Sequence, residues 1–268
     1  RLIRVRQPEQ TPNSAIATTG NPENNQWTAS YSYDVLGNVV SMTDAKNTTI
    51  TTEYDKAGRT VKRTYSDSTP QAEFFYDGKG LSSTPDFSRG SLTMATNGVS
   101  EDRFTEFDNH GRLKASQQLI NGQSYEFLYK YNLSGGLVEQ TYPSGRIVRN
   151  YLDQDSGLSV VTSKASNGLN KIVASNFDYT AAGGIKKMKL GNGLWETSQV
   201  NERFQLTQVG LGTTATNNNL FKIDYEYGEI SSDHSSVDAG KNVGMIARTT
   251  TTIPTTSFVQ TYKYDAIA

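Results

Sequence analysis

Cysteine is absent from the 268 residues, so disulfides, thiolate nucleophiles and thiolate metal centres are excluded. Histidine occurs only twice, at His110 and His234, which leaves few bases from which a hydrolytic centre would be built. Neither sign of charge is in excess: 26 Lys and Arg stand against 27 Asp and Glu, with no like-charged block along the chain. That argues against a nucleic-acid or membrane-surface partner. No apolar run approaches the ~20 residues that a membrane-spanning helix needs. The first residues, Arg1 to Arg6, carry neither an initiator Met nor a signal-peptide core. Helical periodicity is nearly missing as well.

What is present is a repeat. Aromatic-Asp-x-x-Gly occurs at Tyr33-Asp34 to Gly37, Tyr54-Asp55 to Gly58, Tyr76-Asp77 to Gly80 and Phe107-Asp108 to Gly111. Looser copies follow at Tyr131-Asn132 to Gly135, Tyr179-Thr180 to Gly183, Val200-Asn201 without a glycine, and Tyr264-Asp265. Between Tyr151 and Gly157 the pattern reads as a copy with one residue inserted. The step is 21 residues from Asp34 to Asp55 and 22 from there to Asp77. A period of this size marks an array of supersecondary units.

The unit has a mechanical reading. Tyr31 and Tyr33, Phe74 and Tyr76, and Phe127, Tyr129 and Tyr131 lie two apart and so share one face of a strand. The Asp or Asn that follows accepts from the backbone N–H two residues on, an Asx-turn. Glycine then supplies positive φ for a hairpin. Each unit is therefore expected to be a hairpin whose strands run about 5–7 residues. A lone hairpin is marginal in water, so neighbouring units must stack to bury their aromatic faces. The expected fold is all-β, an antiparallel sheet of stacked hairpins.

The breaks in the repeat locate the irregular parts. Residues 1–30 read as a polar, irregular leading segment with one short strand, and residues 31–268 as a single repeat domain. Insertions near 82–90, 212–219 and 229–242 are expected to project from the scaffold. Leu2, Ile3 and Val5 at one end and Tyr262 to Asp265 at the other read as edge strands, and self-association through them is expected. The abrupt start and stop suggest a piece of a longer polypeptide.

These motifs resemble the YD repeats of RHS proteins, of the B and C components of bacterial toxin complexes and of teneurin ectodomains. Phe87-Ser88-Arg89-Gly90-Ser91-Leu92, Thr141-Tyr142-Pro143-Ser144-Gly145-Arg146 and Leu190-Gly191-Asn192-Gly193 are similar to the same family. The resemblance implies a long sheet that curves and spirals into a hollow shell, in several members around a toxic cargo domain. It implies a secreted or cell-surface parent protein, whose remaining polypeptide and cargo are the partners. The Asp- and Pro-rich segment at which such proteins cleave themselves is not found here, so the resemblance carries no self-cleavage to any residue.

Chemistry has few footholds. His110 sits inside a repeat turn that already accounts for its surroundings, and His234 lies in a polar stretch, Ser231 to Ser236, that reads as a solvated loop. Asp153-Gln154-Asp155-Ser156-Gly157 has the oxygen spacing that opens a calcium loop, but Lys164 stands where the closing carboxylate belongs. No metal and no cofactor is expected. Gly183-Gly184 and Gly191 to Gly193 are turn glycines rather than phosphate loops. Trp27 and Trp195 fall outside the regular aromatic positions and are the candidate carbohydrate-stacking residues. The leading reading is a non-catalytic scaffold that encloses or presents a cargo domain. The alternative is an extracellular module that binds carbohydrate or protein through loops and exposed aromatics.

Overall fold

A computed structural model describes residues 1–7, 9–16 and 27–264. They form strands joined by short turns, and the one helical element among them is a 3₁₀ turn, Ala239–Lys241. The chain divides into two compact units, Arg1–Tyr129 and Lys130–Ala268.

The first unit is an antiparallel meander in which each strand pairs with the next. Its strands are β1 (Arg4–Val5), β2 (Ala29–Tyr33), β3 (Val39–Thr43), β4 (Thr49–Tyr54), β5 (Thr60–Tyr65), β6 (Ala72–Tyr76), β7 (Leu92–Thr96), β8 (Ser100–Phe107), β9 (Leu113–Ile120) and β10 (Gln123–Tyr131). The second unit repeats this plan with β11 (Leu137–Thr141), β12 (Ile147–Leu152), β13 (Leu158–Lys164), β14 (Asn170–Tyr179), β15 (Ile185–Leu190), β16 (Trp195–Val200), β17 (Leu206–Gly212) and β18 (Phe221–Tyr227). A small ribbon, β19 (Glu229–Ile230) with β20 (Val237–Asp238), then interrupts the order before β21 (Ile246–Ile253) pairs with β18 and β22 (Thr256–Thr261) pairs with β21.

Alternation along the strands gives each sheet two different faces. In the first unit Tyr31, Met42, Ile50 and Tyr65 stand opposite one another across β2 to β5, half-buried, while Ser32, Ser41, Thr51 and Thr64 form the neighbouring row on the other face. In the second unit Val209, Ile223, Thr251 and Phe258 share a row, and Gln199, Gln208, Asp224, Thr250 and Val259 share the opposite one. Few side chains are fully buried: Ile16, Ala29, Met94, Ala115, Ala174 and Ala247 are the buried apolar ones among the described residues. The large apolar side chains of these rows remain half-buried along a face instead of filling a closed core. Stability is thereby spread over the series of strands.

Candidate functional site

The recurring site is the repeat turn, and its geometry is sharper than an Asx-turn alone. At Asp55 the backbone N–H donates to the Arg59 carbonyl (2.9 Å) while the Gly58 N–H donates back to the Asp55 carbonyl (3.0 Å). The Asp55 carboxylate accepts from two amides, those of Ala57 (2.9 Å) and Arg59 (3.0 Å). Asp108, Asp153 and Asn201 hold the amides two and four residues on in the same way, Asp34 holds those of Gly37 and Asn38, and Asn132 and Thr180 hold the fourth one. This is a three-residue hairpin loop closed by a bulge, whose fourth position must be left-handed. Gly58 occupies it at φ +76°, as do Gly37, Gly111, Gly135 and Gly183 in their copies, whereas Ser156 and Phe204 adopt φ +66° and +58° there without a glycine's freedom.

Two expected copies are built differently. The segment from Tyr151 to Gly157 contains no inserted residue: Leu152 takes the aromatic position, Asp153 the Asx position and Ser156 the left-handed one. At Tyr76-Asp77 the turn does not close on Gly80. Asp77 itself is left-handed (φ +60°), its N–H donates to the Ser91 carbonyl (3.1 Å), and Tyr76 faces Leu92, so residues 78–90 are an excursion out of the hairpin. The carboxylate accepts from the Gly90 amide (2.6 Å), and Gly80 packs beside Phe75 and Met94 inside the excursion. The strand that has pairing to offer, β7, begins only at Leu92, which is why closure waits until there. Tyr264 is placed and Asp265 lies outside the described residues.

The bulge has a consequence for the following unit. It shifts the register, so the residue five past each Asx lies two positions short of the ladder with the next strand: Thr60 precedes the first β5–β6 pair at Lys62, and Leu206 precedes the first β17–β18 pair at Gln208. Its carbonyl has no strand partner there, and such a group needs another donor. The motif tyrosine of the next unit supplies it. Tyr54 donates its hydroxyl to the Val39 carbonyl (2.9 Å), Tyr76 to Thr60 (3.0 Å), Tyr179 to Leu158 (2.9 Å), Tyr227 to Leu206 (3.0 Å) and Tyr264 to Ile246 (2.9 Å), and Tyr33 likewise reaches Leu2. At two copies whose motif residue has no hydroxyl, a polar residue two positions earlier on the same face takes over, whereas at Phe107 the corresponding Thr105 turns to the Ala115 carbonyl instead. Asn150 Nδ2 donates to the Leu137 carbonyl (3.1 Å) in place of Leu152, and Ser198 donates to the Ile185 carbonyl in place of Val200. Neither Asn150 nor Ser198 stands out in the sequence until the register is known.

Charge adds a second tie in the first unit. Arg59 donates through Nε to Asp55 Oδ2 (2.8 Å) and through a terminal nitrogen to Asp77 Oδ2 (2.8 Å), with its guanidinium 4.3 Å from the centre of the Tyr76 ring. It thus joins one repeat turn to the next. The Arg59 hydrogen bond, followed by that of the Gly90 amide, lowers the Asp77 carboxyl to about 2, and Arg59 is raised by the same two carboxylates. Because the folded-state value of Asp77 lies below its unfolded one, this tie contributes fully above about pH 4 and is lost as pH falls towards 2. The expected result is an acid transition that Asp77→Asn shifts and flattens over that interval, read by the unfolding midpoint against pH.

The 212–219 and 229–242 insertions fold back instead of projecting. Residues 213–219 lie over β17, where Asn218 accepts from Thr197 Oγ1 (2.7 Å) and donates to Gln208 Oε1 (2.7 Å). Gly210 and Gly212 face this loop: a Cβ at Gly210 would meet Asn218 Cγ at 2.1 Å, and one at Gly212 would meet the Asn217 carbonyl at 1.9 Å. Close approach of another chain segment is a recognised reason for glycine inside a strand. In the 229–242 insertion, Arg248 donates to the Ser235 carbonyl (3.0 Å), Asn242 exchanges amide hydrogen bonds with Gln205 (2.7 Å), and Lys241 pairs with Glu229 (2.6 Å).

That insertion also places His234. Its Nδ1 lies 2.9 Å from Thr261 Oγ1, while the Asp233 carboxylate is held by Ser231 and Ser235, whose hydrogen bonds lower it to about 2. The carboxylate therefore orients serines and not the imidazole, which is not the arrangement of a nucleophile, base and orienting acid. His110 is exposed in its turn, its N–H on Asp108. Asp153 spends Oδ1 on two turn amides. Trp27 is half-buried, its indole N–H without a partner among the described residues. Trp195 stands opposite Gly212 and Lys189, whose ammonium is 6.0 Å from its ring.

Comparison with known proteins agrees with this architecture. Residues 33–70 match the family described as RHS Repeat. The crystal structure of TcdB2-TccC3-Cdc42 superposes with a TM-score of 0.64 at 16% identity, over 89% of this chain and 12% of that one. That of TcdB2-TccC3 without its hypervariable C-terminal region gives 0.61 at 16% identity, over 83% and 11%. A mutant Photorhabdus luminescens Tc holotoxin pore gives 0.59 at 17% identity, over 84% and 12%. The chain thus spans about one ninth of the length of the chains it resembles. No curated protein matches it by sequence.

Proposed function

We propose, from the premise that this chain carries RHS repeats on the sheet architecture of those toxin-complex proteins, that it is a non-catalytic stretch of shell wall. Residues 31–268 are the wall and residues 1–30 lead into it. Its partners are the rest of a parent polypeptide, secreted or at the cell surface, and a cargo domain which that wall encloses or presents. One observation carries the reading most: from repeat to repeat, at Tyr54, Tyr76, Asn150, Tyr179, Ser198, Tyr227 and Tyr264, a side chain closes an open carbonyl of the preceding repeat, so that length is added without a central core. That is the element an extended wall is built from. The two unlike faces of the sheet suit a wall as well, since one face can meet an enclosed chain and the other solvent.

The test is protection. In the full polypeptide that carries this chain, the cargo segment is expected to resist a protease that digests it once the wall has been unfolded. A cargo cut equally fast in both states would remove the reading. The alternative, a carbohydrate-binding module, is favoured by the position of Trp195 on the polar face, away from the aromatic rows. A glycan array with the purified chain separates the two, because a wall segment leaves it blank and a Trp195-dependent signal selects the binding module.

A further inference from the structure

We propose that Asn121 is a site of self-modification: of the four Asn-Gly pairs in this chain, the fold leaves this one free to convert to aspartate and isoaspartate through a succinimide. This goes beyond the wall reading and does not rest on it.

The pairs are Asn97-Gly98, Asn121-Gly122, Asn167-Gly168 and Asn192-Gly193, and all four asparagines are exposed. Sequence and exposure therefore treat them alike. The attacking group in this reaction is the backbone nitrogen that follows the asparagine, and a glycine there puts no Cβ in its way. An amide whose N–H is already given to an acceptor has to release it first. Three of the four are held in this way. The Gly98 N–H donates to Thr96 Oγ1 (3.1 Å), that of Gly168 to the Ala165 carbonyl (3.0 Å) and that of Gly193 to the Leu190 carbonyl (2.9 Å). Two of the side chains are held as well: Asn97 Oδ1 accepts from the Val99 and Ser100 amides (3.0 and 2.9 Å), and Asn192 Oδ1 from the Leu194 amide (3.1 Å).

The β9–β10 hairpin is built differently. Ile120 pairs directly with Gln123, so the loop is Asn121 and Gly122 alone, at φ +51° and +76°, as a type I′ turn requires. Such a turn closes through the residues that flank it, and its central amide takes no part. Neither the Asn121 side chain nor the Gly122 N–H has a hydrogen-bond partner among the described residues, and nothing lies within 4 Å of the Cβ position at Gly122.

The step balances with water as the only co-reactant. The Gly122 nitrogen gives its proton to solvent and bonds to Asn121 Cγ. The Cγ–Nδ2 bond breaks, and Nδ2 takes up a proton and leaves as ammonia. Water then opens the ring at one of its two carbonyls. Cleavage between the nitrogen and Cγ gives aspartate, while cleavage of the original peptide bond gives isoaspartate, whose main chain runs through Cγ and is longer by one methylene. Either product carries a carboxylate where the chain had a neutral amide.

Ageing of the 268-residue chain in warm, mildly alkaline buffer tests this, read by peptide mapping with mass spectrometry and by labelling with an isoaspartyl methyltransferase. In the folded chain Asn121 should convert ahead of Asn97, Asn167 and Asn192 by about tenfold, the handicap in rate set by one hydrogen bond that has to be released. In urea the four should convert at similar rates, because the fold makes the difference. Asn121→Gly should abolish the leading product and leave the strand content by circular dichroism unchanged, since Gly-Gly suits the same turn. Another of the four converting first, all four keeping pace in the folded chain, a lead of Asn121 that persists in urea, or an unchanged leading product in Asn121→Gly would each overturn the proposal.

Discussion

Gly212→Ala should destabilise the second unit by about 2–3 kcal/mol, through a clash with backbone and not with a movable side chain. The added Cβ would meet a backbone oxygen, that of Asn217, at 1.9 Å, which no side-chain rotation relieves. Relief requires moving the 213–219 loop off β17, and the hydrogen bonds of Asn218 with Thr197 and Gln208 go with it. Gly58→Ala is the control. Nothing lies within 4 Å of its Cβ position, so only the strain of φ +76° remains, and the expected cost is about 1 kcal/mol. Urea unfolding of the two variants measures the difference. Equal costs would mean that the loop does not rest on the strand.

The second large effect concerns two stitches removed together. Tyr179→Phe and Tyr227→Phe each leave a carbonyl, at Leu158 and at Leu206, with its donor deleted and the ring packing kept. One such loss costs about 1 kcal/mol. The two lie in different repeats with no shared partner, so the double variant should lose about 2 kcal/mol, close to the sum. Its strand content by circular dichroism should not change. A double variant as stable as the parent chain would make the tyrosine hydroxyls incidental.

How much of this could be read from sequence differs from residue to residue. The hairpin at Tyr54-Asp55 to Gly58 was legible because every part of it is local: period-two aromatics, an acceptor and a residue suited to positive φ. Asp77 to Gly80 carries the same letters but does not close there, since closure depends on where the partner strand begins, and β7 begins 15 residues downstream of Asp77 at Leu92. Between Tyr151 and Gly157 the apparent inserted residue arises from counting Tyr151 as the motif aromatic, a place that Leu152 holds in the structure. The purpose of Gly210 and Gly212 is not legible in the sequence, because the loop that needs them is folded back from beyond the strand. The course of residues 213–219 is not legible either, because polar composition marks a loop without saying whether its amides face water or a strand.

The candidate site was half visible for the same reason. The turn letters can be read from the sequence, but what the tyrosine hydroxyl does cannot, because its acceptor lies 15 to 21 residues back in Tyr54, Tyr76, Tyr179 and Tyr227. The substitutes Asn150 and Ser198 have a signal only in retrospect: a polar residue two positions before a motif residue that lacks a hydroxyl.

That substitution offers the most direct test of the account, which holds that consecutive repeats are tied through one carbonyl by whichever side chain can reach it. In the parent chain Asn150→Ala should cost about 1 kcal/mol, because the Leu137 carbonyl loses its donor. In the Leu152→Tyr background a hydroxyl at the motif position takes that carbonyl, as in the repeats that keep their tyrosine, and the same Asn150→Ala change should cost close to nothing. A double-mutant cycle by urea unfolding gives the coupling directly. Coupling of about 1 kcal/mol is the predicted result, and an undiminished Asn150→Ala cost in the Leu152→Tyr background would contradict the account.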